Sequence, residues 1–313
     1  MAAVEVSDLR KTFGGGRKRE PVAAVAGISF AIEPGERLAY IGPNGAGKST
    51  SIKMLTGILH PTSGTATVLG LVPWQERRRL ALRIGTLFGQ RSQLWSELTA
   101  RQTYALLGRI YRISRADTDH RIDELADLLE SAALLDQPVR SLSLGQRMRC
   151  ELAASVLHSP EVLFLDEPTI GLDLIAKGRF RELVIRLNEE RGTTIFLTSH
   201  DVSDIEQVAR RVIVINHGAL IYDDRVSRMK RELIRTRLID VRFEQPLESL
   251  EIEGARLLKL SGTGAKLEVD TDVRSIRSVL DDLLDRFEVA DVNVTEPPLE
   301  DVIEHIYSRT APG

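Results

Sequence analysis

Residues 42–50 read Gly42-Pro43-Asn44-Gly45-Ala46-Gly47-Lys48-Ser49-Thr50, which fits the pattern G-x-x-x-x-G-K-S. An apolar run over residues 38–41 precedes this stretch, and a helical pattern follows it. We expect Gly42, Gly45 and Gly47 to adopt backbone angles closed to other residues, so that successive N–H groups converge on an anion. Lys48 adds a cation, and the helix points the positive end of its dipole at the same place. The stretch therefore predicts a phosphate-binding loop between a buried strand and a helix.

The composition restricts the class of protein. A chain of 313 residues is long enough for two domains, each with its own core. The net charge of -3 gives no general attraction to nucleic acid, so we expect no nucleic-acid partner. Cys150 is the one cysteine, which excludes internal disulfides and indicates a reducing compartment, and we expect its thiol to be buried. No stretch approaches the roughly 18 apolar residues that a bilayer span needs, so we expect the chain alone to be soluble.

The first 41 residues alternate in the manner of strands, at 4–6 and again at 28–32. Between these two strands, Phe13 precedes a stretch rich in glycine and basic residues. Phe13 is either an ordinary core residue or an exposed ring that stacks on a nucleotide base. The residues themselves leave both interpretations open.

From Thr99 onward the hydrophobic period becomes helical. Thr99 with Gln102 forms a capping-box pattern, in which each residue satisfies a backbone N–H of the other. The pattern predicts an all-helical part over about residues 97–160. Its last helix opens at the stretch Leu142-Ser143-Leu144-Gly145-Gln146, in which Ser143 is interpreted as the N-cap.

Two acidic residues follow a continuous apolar run at 162–165, which is typical of a strand buried on both faces of a parallel sheet. Asp166 and Glu167 stand at the carboxyl end of this strand, where open α/β sheets bind ligands. Adjacent carboxylates there are costly unless a cation or a reacting group uses them, and a plain surface turn is the alternative. His200 follows the apolar run 194–197, so we expect it to project towards the same crevice, although a lone histidine is more often structural.

The order of these motifs resembles that of the nucleotide-binding subunit of ATP-binding-cassette (ABC) transporters. The resemblance covers residues 1 to about 225, and it includes Gln90 after an apolar strand and the turn Gly171-Leu172-Asp173. It implies an α/β P-loop NTPase fold with a mixed or parallel core sheet, an antiparallel β subdomain and the helical subdomain. It also implies that the chain binds ATP and Mg²⁺.

The resemblance assigns a role to each residue that matches the family pattern. Lys48 would hold the β- and γ-phosphates, and Ser49 would ligate Mg²⁺. Asp166 would hold the metal through water. Glu167 would act as general base on the attacking water.

Two further polar residues complete this expected site. Gln90 would join the metal ligands, sense the γ-phosphate and relay its presence to a membrane partner. His200 would contact the γ-phosphate and orient the water. The residues expected to contact the nucleotide in the same subunit are Phe13, which would stack on adenine, and Gly42, Pro43, Asn44, Gly45, Ala46, Gly47, Lys48, Ser49 and Thr50.

The resemblance also implies a homodimer, because the family closes two such domains head to tail over two ATP molecules. Ser143 and Gly145, with Gln146 beside them, would cover the γ-phosphate of the nucleotide held by the opposite subunit. Asp173 would lie across the interface. Leu144 stands where the family usually has glycine, which leaves open how closely the backbone there approaches phosphate.

Residues 226–313 predict a second, small α+β domain with its own core and no catalytic cluster. Its patterns are, in order, strands at 238–243, 255–260 and 266–269, a helix carrying Val273, Ile276, Leu280, Leu283, Leu284 and Phe287, a strand at 289–294 and a helix from Pro298. The end of the chain is similar to that of single-cassette subunits of ABC-2-type exporters. We therefore hypothesise a dimerisation or regulatory role for this domain.

The leading functional hypothesis is an ATP hydrolase that powers an ABC transporter, with export favoured and import left open. A separately encoded permease is then expected, through which the chain would sit at the cytoplasmic face of the cell membrane. The chief alternative is a soluble ABC ATPase of translation or DNA repair. Those proteins usually carry two cassettes or a long coiled-coil insertion, whereas this sequence has one cassette and no sustained heptads. GTPases read guanine through Asn-Lys-x-Asp, and no Asn is followed by Lys here.

Overall fold

The computed structural model describes residues 1–14, 21–88, 92–199, 201–233, 236–295 and 303. These residues form two compact units, 1–226 and 227–313. Gln90 and His200, which the sequence interpretation places in the site, lie outside the described residues.

The first unit combines an α/β core with an antiparallel sheet and a helical part. Two short 3-10 turns, at 132–134 and 139–141, precede the last helix of the helical part. The elements in chain order are β1 (Val4–Phe13), β2 (Val22–Ile32), β3 (Arg37–Ile41), α1 (Lys48–Leu55), β4 (Ser63–Val68), α2 (Arg77–Ala81), β5 (Ile84–Phe88), α3 (Ala100–Ile110), α4 (Arg115–Leu128), α5 (Leu144–Val156), β6 (Val162–Asp166), α6 (Leu174–Arg191), β7 (Thr194–Thr198), α7 (Val202–Val208), β8 (Arg211–Asn216) and β9 (Ala219–Arg225).

Within the described part of the chain, six strands form the core sheet in the order β5-β6-β7-β3-β8-β9. Along this order, the neighbouring strands β5, β6, β7, β3 and β8 pair in parallel, and β9 pairs antiparallel with β8. The loop after β3, the turn after β6 and the end of β7 therefore meet at one edge, where open α/β sheets bind ligands. The predicted mixed core sheet is confirmed, and this edge carries the candidate site.

The core sheet lies between two hydrophobic clusters. In β6, Leu163 and Leu165 belong to the cluster that contains the helical part, whereas Phe164 belongs to the cluster that contains the antiparallel sheet. Side chains of a strand alternate between the two faces, so a strand covered on both sides must be apolar throughout. The structure confirms this interpretation of residues 162–165, all of which are buried.

The antiparallel sheet has the order β2-β1-β4 in the described residues. Residues 11–13, which the sequence interpretation places between two strands, continue β1 and pair with β2 as far as Phe13 and Val22. The helical part begins as predicted, because Thr99 and Gln102 form both bonds of a capping box at the start of α3. Cys150 on α5 is fully buried, as expected.

The second unit has an α+β fold, in which an antiparallel sheet packs with a helix. Its elements are α8 (Val226–Leu233), β10 (Thr236–Phe243), β11 (Ala255–Ser261), β12 (Gly264–Asp270), α9 (Ile276–Arg286) and β13 (Val289–Thr295). The described strands form one antiparallel sheet in the order β11-β12-β10-β13. Alternate residues of β10 and β12, such as Ile239 and Leu267, pack with Val279 and Leu283 of α9 in a separate core.

Two details of the sequence interpretation of this unit are wrong. Val273 is 73% exposed and precedes the helix, because Ser275 caps α9 by accepting a hydrogen bond from the backbone of Ser278. Leu284 is also exposed, so it does not share the buried face of α9. The helix predicted from Pro298 falls outside the described residues, apart from a buried, helical Ile303. None of the described helices is both long enough and apolar enough to cross a membrane.

Candidate active site

The phosphate-binding loop of residues 42–50 connects β3 to α1. Gly47 has a φ of 108° and is the N-cap of α1, and a Cβ there would collide with the carbonyl oxygen of Ala24 on β2. Gly42 was expected to need an unusual backbone angle, but its φ is not in the left-handed region. A Cβ at Gly42 would instead collide with the carbonyl oxygen of Ile215 on β8. The loop is therefore packed directly against β2 and β8, and close approach explains Gly42 better than its backbone angle does.

The first turn of α1 presents backbone N–H groups and a lysine at this loop. Gly47 supplies no side-chain cap, so the N–H groups of the first turn are not satisfied by a capping side chain. Lys48 is 7% exposed, and its Nζ donates hydrogen bonds to the carbonyl oxygens of Gly42 at 2.6 Å and Pro43 at 3.3 Å. Unpaired helix N–H groups and an ammonium beside a tight loop form an anion-binding site.

A buried polar chain supports the loop from beneath. The Tyr40 and Ser51 hydroxyls lie 3.2 Å apart, and Ser51 Oγ donates to the carbonyl oxygen of Gly47 at 3.0 Å. Burial raises the pKa of Tyr40, so its hydroxyl stays protonated at neutral pH. The Tyr40 ring packs against Phe30 and Phe196. These contacts hold the loop in place without drawing on the groups that face the ligand.

The carboxyl end of β6 lies beside the start of α1. Asp166 Oδ1 accepts hydrogen bonds from Thr198 Oγ1 at 2.7 Å and from Ser49 Oγ at 3.4 Å. Glu167, the next residue, has a φ of 52°, and its backbone N–H donates to both the carbonyl and the hydroxyl oxygen of Thr198 at 3.1 Å. A positive φ is uncommon for a residue other than glycine and is found at functional sites. Thr198, a buried residue of β7 to which the sequence interpretation gave no role, therefore holds the carboxylate of Asp166 and the backbone of Glu167.

The side chain of Glu167 points to the loop. Its Oε1 lies 3.8 Å from Lys48 Nζ, and the side chain is 17% exposed. A partly buried carboxylate next to an ammonium and a phosphate-binding loop can accept a proton from a water that attacks a bound phosphate. The plain surface turn that the sequence left as an alternative is therefore a poor description of Asp166 and Glu167.

Ser49 and Asp166 offer oxygen ligands to a divalent cation at one point of the loop. No cluster of three or more metal-ligating His, Cys, Asp or Glu side chains occurs among the residues that the structure describes. Mg²⁺ suits this arrangement, because it is usually bound by one or two carboxylates together with substrate phosphates and waters rather than by an all-protein cage. The donor set of Ser49 and Asp166 beside the loop therefore fits Mg²⁺.

A buried ion-pair network surrounds the two segments that carry Glu167 and His200. Arg181 on α6 donates from Nε to Asp204 Oδ1 at 2.6 Å, and the two side chains are 4% and 1% exposed. The other oxygen of Asp204 accepts from Thr169 Oγ1 at 2.6 Å and from Ser199 Oγ at 2.7 Å. Asp204 thus ties the turn after Glu167 to the residue before His200.

Asp201 extends this network at the start of α7. Its Oδ2 accepts from Lys177 Nζ at 2.6 Å, and its Oδ1 lies 3.3 Å from Arg181 Nη2. Burial alone would raise the pKa of Asp201, but the hydrogen bond and charge of Lys177 and the charge of Arg181 hold that pKa below its ordinary value. The sequence interpretation missed this network, although two basic residues four apart on α6 and two acidic residues three apart at the start of α7 were a visible charge pattern.

The loop at the start of α5 forms a second group of site residues. Ser143 and Gln146 form both bonds of a capping box, so the predicted N-cap is confirmed. Because Ser143 Oγ accepts in this cap, its hydroxyl proton remains able to donate to a phosphate oxygen. A Cβ at Gly145 would lie 3.0 Å from Ala176 Cβ, so α5 and α6 approach closely here.

Leu144 packs over the turn that precedes α6. Its Cδ2 lies 3.2 Å from the position that a Cβ at Gly171 would take. Asp173 is the N-cap of α6, where its Oδ1 accepts from the backbone of Ala176 at 2.9 Å. A pocket of about 230 Å³ between α5 and α6 is lined by Ser143, Gly145, Gln146, Met148, Arg149, Leu172, Asp173, Ile175, Ala176, Arg179 and Phe180.

The structure thus collects the described candidates in two places. Lys48, Ser49, Asp166 and Glu167 meet at the loop after β3, whereas Ser143, Gly145, Gln146 and Asp173 line the pocket between α5 and α6. Gln90 and His200 lie outside the described residues.

Phe13 lies beside β2, the strand that packs against the phosphate-binding loop. It is the last residue of β1, is 42% exposed, and pairs with Val22, two residues before the Ala24 carbonyl that meets Gly47. Lys11 Nζ lies 5.3 Å from the centre of its ring. A half-exposed ring is a poor core residue, so the core interpretation does not fit Phe13, and stacking on a base stays a prediction.

Known proteins are similar to this chain over the same regions. The family model described as ABC transporter matches residues 25–170. The chain is 33% identical over 205 residues to the ABC transporter ATP-binding protein NatA of Bacillus subtilis (strain 168), and the matched region covers 66% of this chain and 83% of NatA. It is 33% identical over 284 residues to the daunorubicin/doxorubicin resistance ATP-binding protein DrrA of Streptomyces peucetius, and the matched region covers 90% of this chain and 81% of DrrA. A solved dimeric ATP-binding cassette in a post-hydrolysis state, bound to ADP and phosphate, matches with a TM-score of 0.64 and 26% identity over 71% of this chain and 98% of that one.

Proposed function

We propose, because this chain belongs to the ABC transporter family and is one of its ATP-hydrolysing subunits, that it powers an exporter whose membrane-spanning part is a separate polypeptide. The observation that carries the proposal is the position of Glu167, held 3.8 Å from Lys48 at the phosphate-binding loop. The backbone of Glu167 is strained by its positive φ, and the hydrogen bonds from its N–H to Thr198 hold it in place.

In the proposed reaction, the loop N–H groups and Lys48 bind the β- and γ-phosphates of ATP. Ser49 and Asp166 are the residues that would hold Mg²⁺, which when bound supplies positive charge to the phosphate oxygens. Glu167 accepts the proton of the water that attacks the γ-phosphate. Lys48 stabilises the negative charge that develops on the transferred phosphoryl group. His200 is proposed to orient the water, and Gln90 to sense the γ-phosphate.

A second copy of the chain is proposed to complete each site. Ser143 would donate its hydroxyl proton, and Gly145 its backbone N–H, to the γ-phosphate held by the other subunit, with Gln146 beside them. Asp173 would lie across the same interface. The solved relative that binds ADP and phosphate is itself dimeric, which supports this arrangement.

The export direction and the permease rest on the relatives. DrrA is named for resistance to daunorubicin and doxorubicin, and the chain covers 81% of it at 33% identity. We propose that the permease holds the chain at the cytoplasmic face of the membrane. The unit 227–313 has its own core, and we propose that it is a separate accessory domain for dimerisation or regulation, in line with the boundary near residue 225.

The test of the ATPase site uses Glu167→Gln, which removes the proton acceptor and keeps the shape of the side chain. We expect the purified variant to bind Mg-ATP, to hydrolyse it about a hundred- to a thousand-fold more slowly than the wild type, and to accumulate a dimer. Full turnover in this variant would refute the role of Glu167. The test of export is co-expression with a multi-span membrane protein encoded next to this chain; failure of the two to co-purify would contradict the exporter proposal.

A further inference from the structure

A buried carboxylate on α5 holds the segment that follows Gln90. Glu151 is 5% exposed and lies between Cys150 and Leu152, which are fully buried. Its carboxylate accepts hydrogen bonds from Ser92 Oγ and from the backbone N–H of Gln93, the latter at 2.9 Å. A carboxylate is costly to bury, so its retention among apolar neighbours indicates a specific task.

The segment 92–94 is also fixed to the core sheet. The side-chain amide of Gln93 donates to the carbonyl oxygen of Thr86 on β5. Ser92 Oγ accepts from the backbone of Leu94 at 3.2 Å, and Leu94 is buried in the cluster that contains the helical part. The short segment is therefore bonded to β5 on one side and to α5 on the other.

The two ends of this connection belong to different nucleotide sites. In the sequence, Ser92 comes two residues after Gln90, which is proposed to sense the nucleotide bound by its own subunit. Glu151 lies on α5, eight residues after Ser143, the N-cap of the same helix, so a displacement of this helix at Glu151 also displaces the loop proposed to cover the nucleotide of the opposite subunit.

We infer that Glu151 is a positioning residue that couples the two nucleotide sites of the dimer, by transmitting movement of the segment after Gln90 to the Ser143 loop. The inference rests on the proposed function, because it requires two copies that share their sites. Glu151 touches neither nucleotide; it acts through Ser92, Gln93 and the axis of α5. By linkage, closure of the Ser143 loop on the opposite site must act back on the segment after Gln90.

The test separates nucleotide binding from dimer formation. In the Glu167→Gln background, Mg-ATP affinity of the monomer is measured at low protein concentration, and the ATP-driven dimer is measured by sedimentation across protein concentrations. Glu151→Gln and Ser92→Ala are each expected to leave ATP affinity of the monomer within about twofold, and to raise the dimer dissociation constant at least about fivefold, the lower end of typical coupling. Ser92→Thr, which keeps the hydroxyl, is expected to restore dimer formation.

Tyr104→Phe is the matched control for a merely structural effect. Its hydroxyl donates to the carbonyl oxygen of Cys150 at 2.9 Å, one residue from Glu151 on the same helix, and takes no part in the hydrogen bonds of Glu151 to Ser92 and Gln93. We expect this control to lower the melting temperature and leave the dimer dissociation constant unchanged. The inference is overturned if Glu151→Gln dimerises like the parent, or if Tyr104→Phe weakens the dimer equally. If the parent itself forms no ATP-dependent dimer, the proposed dimer falls and the coupling with it.

Discussion

Replacing Arg181 by methionine tests how the buried network supports the active site. The substitution keeps most of the volume of the side chain and removes its guanidinium. Asp204, 1% exposed, then loses its ion pair at 2.6 Å, and Asp201 loses the contact at 3.3 Å. Thr169 and Ser199 still donate to Asp204, but they bring no positive charge to a buried carboxylate.

The expected cost follows from leaving this charge unpaired. Breaking a buried ion pair by removing one partner costs about 3–5 kcal/mol. The total free energy of unfolding of a domain is about 5–15 kcal/mol, so the loss is a large share of it. For a unit of this size each kcal/mol lowers the melting temperature by about 2–4 °C, which gives a drop of about 6–20 °C.

Two measurements check this expectation. Urea unfolding and calorimetry give the stability of Arg181→Met beside Arg186→Met. The second variant removes a half-exposed ion pair on the same helix and a hydrogen bond to the carbonyl oxygen of Leu128, and should cost no more than about 2 kcal/mol. The ATPase rate of the folded fraction should fall, because Thr169 and Ser199 flank the segments of Glu167 and His200. Arg181→Lys keeps the positive charge but lacks the planar guanidinium, so its stability should lie between those of the wild type and Arg181→Met. A loss below about 1 kcal/mol in Arg181→Met, or equal losses in both methionine variants, would contradict the reasoning.

Three further predictions follow from single contacts. His158 packs on Tyr111, and its Nε2 donates to the carbonyl oxygen of Ile84 at 2.9 Å; burial lowers its pKa from 6.5 to about 4. The unfolded chain therefore binds more protons between pH 4 and 6.5, so stability should fall by about 3 kcal/mol as the pH drops through that window, and His158→Phe should flatten the dependence in pH-dependent urea titrations. Gly47→Ala should abolish Mg-ATP binding in calorimetry while the chain remains folded by circular dichroism, because the new Cβ meets the Ala24 carbonyl; retained affinity would contradict the packing of the loop. Thr198→Val should lower kcat at least about tenfold with little change in KM, because Asp166 and Glu167 lose their shared hydroxyl; an unchanged kcat would remove Thr198 from the site.

The features that the sequence predicted correctly depend on neighbouring residues. The caps at Thr99 and Ser143 are bonds between residues three apart, and a short pattern is enough to detect them. The buried strand at 162–165 was visible as an apolar run. The extent of β1 was not, because residues 11–13 are polar or half-exposed and are strand only by pairing with β2.

The features that the sequence did not predict depend on residues far apart in the chain. Gly42 is required by the carbonyl of Ile215, which lies 173 residues later, and no local pattern carries that information. Asp204 meets Thr169 across 35 residues, and Glu151 meets Ser92 across 59. A buried polar residue can be recognised as a positioning group only when its partners are known.

The contact between Leu144 and Gly171 has a consequence for how related chains diverge. Gly171 has a φ of 78°, so besides glycine it would admit mainly asparagine or aspartate, and their Cβ would lie 3.2 Å from Leu144 Cδ2, a tight contact that requires the leucine to shift. The two positions should therefore covary: lineages with leucine at the first should keep glycine at the second, and lineages with glycine at the first should be free to carry asparagine at the second. A single mutation at either position would then be tolerated in one evolutionary background and harmful in the other.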